Sequence, residues 1–214
     1  MHVLIAGGHG QIALVLTDLL HERGDQVRSL IRNVDQANDV KNAGGGPVVV
    51  DLEATTEEEL DLVLTDIDAI VFAAGAGPDS SPERKDTVDH QGSTRLVEAA
   101  KRVGVKRYVI VSSTGADPEA EGDGTFDVYL RAKGRADRDL VESGLDYTII
   151  RPVRLTGQSG NRRISAGEKT AESEIPREDV AGVIAEVLKQ DSTIGKTFEV
   201  SRGDDHIEQA ISQL

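Results

Sequence analysis

Short continuous apolar runs alternate along the chain with segments in which apolar residues recur every three or four positions. Val3-Leu4-Ile5, Val48-Val49-Val50, Ala69-Ile70-Val71-Phe72 and Tyr108-Val109-Ile110-Val111 are runs of the first kind; Ile12, Leu16, Leu19 and Leu20 show the second pattern. A continuous run suits a strand covered on both faces, and the spaced pattern suits an amphipathic helix. The alternation predicts strands near residues 2–7, 26–32, 47–51, 68–73, 106–112, 146–151 and 196–201. Helices are expected near 11–23, 34–42, 56–65, 83–103, 127–143 and 178–190. Strand and helix in turn, with no internal repeat and no long linker, give an α/β chain: a doubly wound parallel sheet. A length of 214 residues suits one such domain, spanning 1–214. Residues 151–175 and 202–214 are expected to form a small substrate lid and a C-terminal cap, with Ile207, Ala210, Ile211 and Leu214 packing on the core.

The junction between the first strand and first helix reads Gly7-Gly8-His9-Gly10-Gln11-Ile12-Ala13. Glycines there permit a tight turn and close backbone approach, and the unpaired N–H groups at a helix start favour a pyrophosphate. The spacing Gly7-x-x-Gly10-x-x-Ala13 departs from the commonest dinucleotide fingerprint, but the strand before it and the helix after it are the required context. Gly44-Gly45-Gly46-Pro47 leads into a strand, offers no helix start, and is read as a turn.

About 20 residues beyond the glycines, an NAD-preferring fold carries an acidic residue for the ribose 2′-hydroxyl. Ile31-Arg32-Asn33 occupies that place. A guanidinium at a strand end can pair with a 2′-phosphate, which predicts NADP (NADPH) over NAD; the alternative is a solvated strand-end Arg32.

Composition narrows the partners. A net charge of −14 and a pI near 4.7 oppose binding to nucleic acid or an anionic membrane. With no cysteine there is neither disulfide, thiolate ligand nor cysteine nucleophile. Five scattered histidines and the acid-rich stretches 51–68 and 117–127 lack metal-site spacing, so no metal is expected. No leader and no membrane-length apolar run is evident, giving the expectation of a cytoplasmic protein, monomer or homodimer, acting on a small-molecule substrate.

Ligands of doubly wound sheets lie at the carboxyl ends of the strands. Those ends offer Asp51 and Leu52 beside an adenine, Ala73, Ala74 and Gly75 where the cofactor passes closely, then Ser112 and Ser113 ahead of a flexible stretch, 115–125. Tyr129 and Lys133 follow. Four residues apart on a helix, they share a face, so the ammonium can favour the phenolate and fit Tyr129 for proton exchange with a substrate oxygen held by Ser112 or Ser113. The alternative is an exposed tyrosine beside a solvated lysine.

Together Gly7-x-x-Gly10, Arg32, Val111-Ser112-Ser113, Tyr129-Leu130-Arg131-Ala132-Lys133 and Ser143-Gly144-Leu145-Asp146-Tyr147-Thr148-Ile149-Ile150-Arg151-Pro152 resemble an atypical short-chain dehydrogenase/reductase of the small NAD(P)-binding, epimerase-like group, over essentially the whole chain. The resemblance implies a Rossmann fold. It also implies that Ser112 or Ser113, Tyr129 and Lys133 are catalytic, with Lys133 also orienting a ribose, and that Pro152 and Val153 close over the nicotinamide. Asp89 stands where many such enzymes place an active-site Asn. The segment 157–163 is short for a nucleotide-sugar lid, and Arg154, Arg162 and Arg163 are either a solvated basic loop or an attractor for an anionic substrate. The expected activity is NADP(H)-dependent oxidoreduction of a small carbonyl, quinone or sugar-like substrate. A sugar-nucleotide epimerase/dehydratase and a non-enzymatic NADP(H) sensor are the alternatives.

Overall fold

A computed structural model describes residues 1–77 and 80–214. β1 (His2–Ala6) leads into α1 (Gln11–Glu22) and β2 (Gln26–Ile31); α2 (Ala37–Asn42), β3 (Gly46–Val49), α3 (Glu57–Val63) and β4 (Ala69–Phe72) follow. A long helical run comes next, made of α4 (Pro82–Arg84), a π-helical segment (Lys85–Gln91) and α5 (Gly92–Val103). Then come β5 (Arg107–Val111), α6 (Thr125–Glu142) and β6 (Asp146–Pro152). The final third holds β7 (Arg154–Thr156), β8 (Arg163–Gly167), β9 (Glu174–Pro176), α7 (Arg177–Val187), β10 (Lys196–Arg202), β11 (Asp205–His206) and α8 (Ile207–Ser212).

The main sheet runs in the order β11-β8-β10-β6-β5-β4-β1-β2-β3, while β7 and β9 pair separately. From β10 to β3 every neighbouring pair is parallel. The chain order reverses between β1 and β4, which opens the ligand crevice there. Two expectations from the sequence change. The sheet gains an antiparallel margin, β8 against β10 and β11 against β8, and residues 163–167 of the expected lid therefore belong to the sheet. In Arg163-Ile164-Ser165-Ala166-Gly167 only Ile164 is fully buried, so the segment has no apolar run to announce a strand; it is held at the sheet margin by its pairing with β10 and the two-residue β11.

Both sheet faces are covered, as the continuous apolar strands require. Val3 and Ile5 join Leu16 and Leu20 of α1, Val180, Val183 and Ile184 of α7, and Ile207 and Ile211 of α8. Leu4 and Ala6 face the other way, toward Leu60 of α3, Leu96 of α5 and Leu140 of α6. Each fully buried Leu or Ile contributes on the order of 1.5–3 kcal/mol. The C-terminal segment thus packs on the core, with Leu214 alongside.

Candidate active site

The glycine junction is held by its own backbone. Gly7 adopts φ 79°, a left-handed conformation that glycine takes at little cost, and a Cβ there would lie 2.6 Å from Ala74 Cα. A Cβ on Gly8 would lie 2.5 Å from Ser29 Cβ on β2, so this glycine lets the loop pack on the neighbouring strand. Gly10 stands at the N-cap of α1 with no side-chain cap, and the first turn carries no acidic residue. The first N–H groups of a twelve-residue helix therefore face outward toward an anion. Close approach, a left-handed turn and an uncapped helix start fit the pyrophosphate of a dinucleotide.

Two cavities meet at Ala73, Ala74 and Gly75, forming one trough across the carboxyl ends of the strands. The first, about 310 Å³, is lined by Gly7, His9, Gly10, Arg32, Asp51, Leu52, Glu53 and Arg84, among others. Arg84 donates to Glu53 Oε2 through Nη2 (2.6 Å) and Nε (3.1 Å), and Thr87 donates to Oε1 at 2.6 Å. Those hydrogen bonds, Arg84's foremost, hold the Glu53 carboxyl below its ordinary range. Arg84 is thus neutralised within the protein, while Arg32 is exposed at the cavity wall. His9 meets Asp39 at 2.7 Å on the rim.

The second cavity, about 530 Å³, is lined by Ile12, Lys85, Asp89, Val111, Ser112, Phe126, Tyr129, Lys133 and Leu155, with others. Tyr129 and Lys133 are brought together on α6 as their spacing implies, with Lys133 Nζ 5.9 Å from the Tyr129 ring centroid. Lys85 Nζ lies 5.7 Å from the same centroid. Lys133 is buried and forms an ion pair with Asp89 Oδ1 at 3.1 Å. It also donates to the Val111 carbonyl at 3.1 Å and lies 3.5 Å from that of Ala74, so one ammonium joins β4, β5 and the π segment. Burial works against its charge, but Asp89 foremost, then Tyr129 and Asp137, hold its pKa above the ordinary lysine value. Asp89 Oδ2 accepts from the Ala76 amide at 3.0 Å.

The π turn explains how Asp89 and Lys85 reach the site. It adds a residue to the helical turn, a distortion that recurs at functional sites. Lys85, Val88 and Asp89 are all buried inside it, and the Lys85 ammonium donates to the Gly77 carbonyl.

Ser112 and Ser113 part company. Ser112 lines the cavity and donates to Asp137 Oδ2 at 2.8 Å; Ser113 does not line either cavity and donates to the Thr114 carbonyl. Asp137 Oδ2 also accepts from Arg151 Nε (3.0 Å) and Nη2 (2.8 Å). Burial raises the Asp137 pKa in spite of Arg151, Ser112 and Lys133. Asp137 follows Lys133 by four residues, so the helical spacing that linked Tyr129 to Lys133 extends to it. Arg151 lies in the strand motif already quoted, and their pairing depends on β6 lying beside β5.

Gly8, Gln11, Pro152 and Val153 do not line the trough, whereas Leu155 does. Pro152 accepts at its carbonyl from the Thr114 amide, and Val153 donates to the Val200 carbonyl. The stretch after Ser113, expected to be flexible, is pinned to α6. Arg131 donates to the Ala120 and Gly122 carbonyls, and Gly134 lies so close that a Cβ would meet Asp117 and Pro118 backbone at 2.2 Å. Arg154 pairs with Glu174, Arg162 with Glu208, and Arg163 donates to the Asp204 carbonyl. None of the three arginines lines the trough. Among the described residues no group of three His, Cys, Asp or Glu side chains could hold a metal ion, and no helix is long and apolar enough to cross a membrane.

The family model described as NAD(P)H-binding matches residues 7–191. A Bacillus subtilis protein named an uncharacterized sugar epimerase is 33% identical over 215 residues, covering 100% of both chains. A Bacillus halodurans structure, provisionally described as an NAD-dependent epimerase/dehydratase, has TM-score 0.92 at 37% identity and covers 100% of each chain. The oxidoreductase ylbE from Lactococcus lactis has TM-score 0.86 at 30% identity, covering 100% of this chain and 96% of its own.

Proposed function

The chain belongs to the NAD(P)H-binding family, an enzyme of its oxidoreductase and epimerase-like kind, and from that premise we propose an NADP(H)-dependent reductase of a small carbonyl or quinone. The observation that carries the proposal is Tyr129 lining the second cavity with the buried Lys133–Asp89 pair behind it. A bound nicotinamide supplies hydride to the substrate carbon. Tyr129 would give its hydroxyl proton to the substrate oxygen as that carbon is reduced, and bulk solvent would restore the proton. Lys133 contributes a fixed positive charge near the phenol rather than a mobile contact, because its donors are directed at Asp89 and at backbone carbonyls. Ser112 donates its hydrogen bond to Asp137, so toward the cavity its oxygen would accept from the hydroxyl of the reduced product.

The preference for NADP rests on Arg32, exposed on the wall of the first cavity, while Arg84 is occupied by Glu53. The 2′-phosphate would draw a charge-assisted pair from Arg32. A soluble enzyme of the cytoplasm, working as a monomer or homodimer, accords with this reading. Calorimetric titration with NADPH and NADH side by side tests the cofactor assignment: tenfold or greater preference for NADPH, about 1.4 kcal/mol, is expected, and equal affinity removes Arg32's role. Turnover that consumes NADPH in proportion to product is expected. An unchanged NADPH pool during product formation would instead mark an epimerase.

A further inference from the structure

The mouth of the second cavity carries an aromatic ring that the fold itself does not use. The chain has three phenylalanines and no tryptophan; Phe72 and Phe198 are buried, and Phe126 is 65% exposed. Single exposed apolar residues are ordinary on a protein surface. Phe126 differs because it is joined to another ring at a cavity: it stacks with Tyr129, centroids 6.0 Å apart and planes 29° from parallel, and both line the trough. The same cavity wall also holds the aliphatic side chains of Ile12, Val111 and Leu155. The polar side chains there are largely committed within the protein: Asp89 to Lys133 and the Ala76 amide, Ser112 to Asp137, Lys85 to the Gly77 carbonyl. A polyhydroxylated sugar would lose hydrogen bonds to water on entering such a wall. A flat conjugated molecule would gain a π face and need one polar anchor, at Tyr129.

We propose that Phe126 and Tyr129 form a stacking platform for a planar conjugated carbonyl or quinone, with Phe126 as the specificity-determining residue. The proposal rests on the reductase reading of the same cavity and narrows its substrate class. Phe126 opens α6 from its solvent side, so replacing it leaves the core packing intact.

Two diketones with the same reacting group separate planarity from reactivity: 9,10-phenanthrenequinone and 2,3-butanedione. Their kcat/KM values are measured with NADPH for the full-length protein and for Phe126→Ala, Phe126→Leu and Phe126→Trp. The dissociation constant of 9,10-phenanthrenequinone is measured calorimetrically on the NADP⁺-loaded protein. In Phe126→Ala and Phe126→Leu the ratio of kcat/KM, planar over aliphatic, is expected to fall at least tenfold, chiefly through KM for the quinone. Phe126→Trp should keep the ratio within threefold, and the dissociation constants should follow the same order. A ratio that moves less than twofold in Phe126→Ala, or that Phe126→Leu retains, overturns the platform. If neither diketone is turned over, binding decides: Phe126-dependent binding keeps the platform and removes the reductase reading, and absent or Phe126-independent binding overturns the platform.

Discussion

The two ends of the trough are built by different means. The end holding Gly7, Gly10 and Arg32 is made chiefly of backbone, through missing Cβ atoms and an uncapped helix start, with the exposed strand-end guanidinium of Arg32 as its one free cationic side chain among the described residues. The end holding Tyr129 is made chiefly of side chains. Lys133 from α6 and Asp89 from the π turn meet the Val111 carbonyl of β5 in the interior, and beside them the buried Ser112 and Asp137 are joined by the half-buried Arg151. A backbone-built site binds by shape and loses affinity when a methyl group is added. A site built from buried charges is coupled to stability, because each partner removed leaves the other without compensation.

That contrast breaks most sharply at Tyr129. Tyr129→Phe is expected to lower kcat by about 10²- to 10⁴-fold while NADPH affinity stays within twofold, measured by turnover and by titration of the same preparation. Unreduced turnover would remove proton transfer from this residue. Next in size, Asp89→Ala should cost about 3–5 kcal/mol in chemical denaturation, by leaving the Lys133 ammonium buried alone. Adding Lys133→Met should restore more than half of that loss without restoring turnover. The pair also sets a pH dependence. Lys133 has a folded pKa above its unfolded value of 10.5, so its contribution is complete below about pH 10.5 and is lost as pH rises beyond it. The denaturation midpoint of the wild type should therefore fall more steeply between pH 10 and 12 than that of the double variant, in the same buffers; parallel curves would argue against a charged pair.

At the other end, Gly7→Ala meets both a positive φ and the Ala74 backbone. NADPH should bind at least tenfold more weakly in the same titration. The smallest effect expected is Arg32→Ala, about tenfold on NADPH and less than twofold on NADH. An equal loss for both dinucleotides would move Arg32 from recognising the phosphate to general attraction.

The same division governs what could be read from residues alone. Gly7, Gly10 and Arg32 are local signals: turn chemistry and a strand end lie within one strand–helix–strand unit, and a short window holds them. Tyr129 and Lys133 were legible because one helix carries both. Asp89 stood out only as a departure from a family pattern, since its pairing with Lys133 joins residues 44 positions apart and depends on a helical distortion that apolar periodicity does not register. No sequence pattern singles out Phe126; its place depends on an exposed ring standing beside a cavity, which only the fold brings together. β8 escaped notice because it lies at the antiparallel margin of the sheet, where only Ile164 is fully buried, and so has no unbroken apolar run. β1, β4 and β5, which the sheet buries on both faces, were legible from continuous apolar runs, whereas β3 was legible from its valines although Val49 is exposed.

The π turn at Lys85–Gln91 also has a consequence for register. A wide turn takes up one residue more than the α-turn it replaces, so a single deletion between Asp86 and Val88 would let the helix close into regular geometry and rotate Asp89 out of the register with Lys85 that brings its carboxylate to Lys133. The helix would gain regularity and the ammonium of Lys133 would lose its counter-ion. In this segment, therefore, an insertion or deletion is a change of chemistry, where in the surrounding loops it would be a change of length.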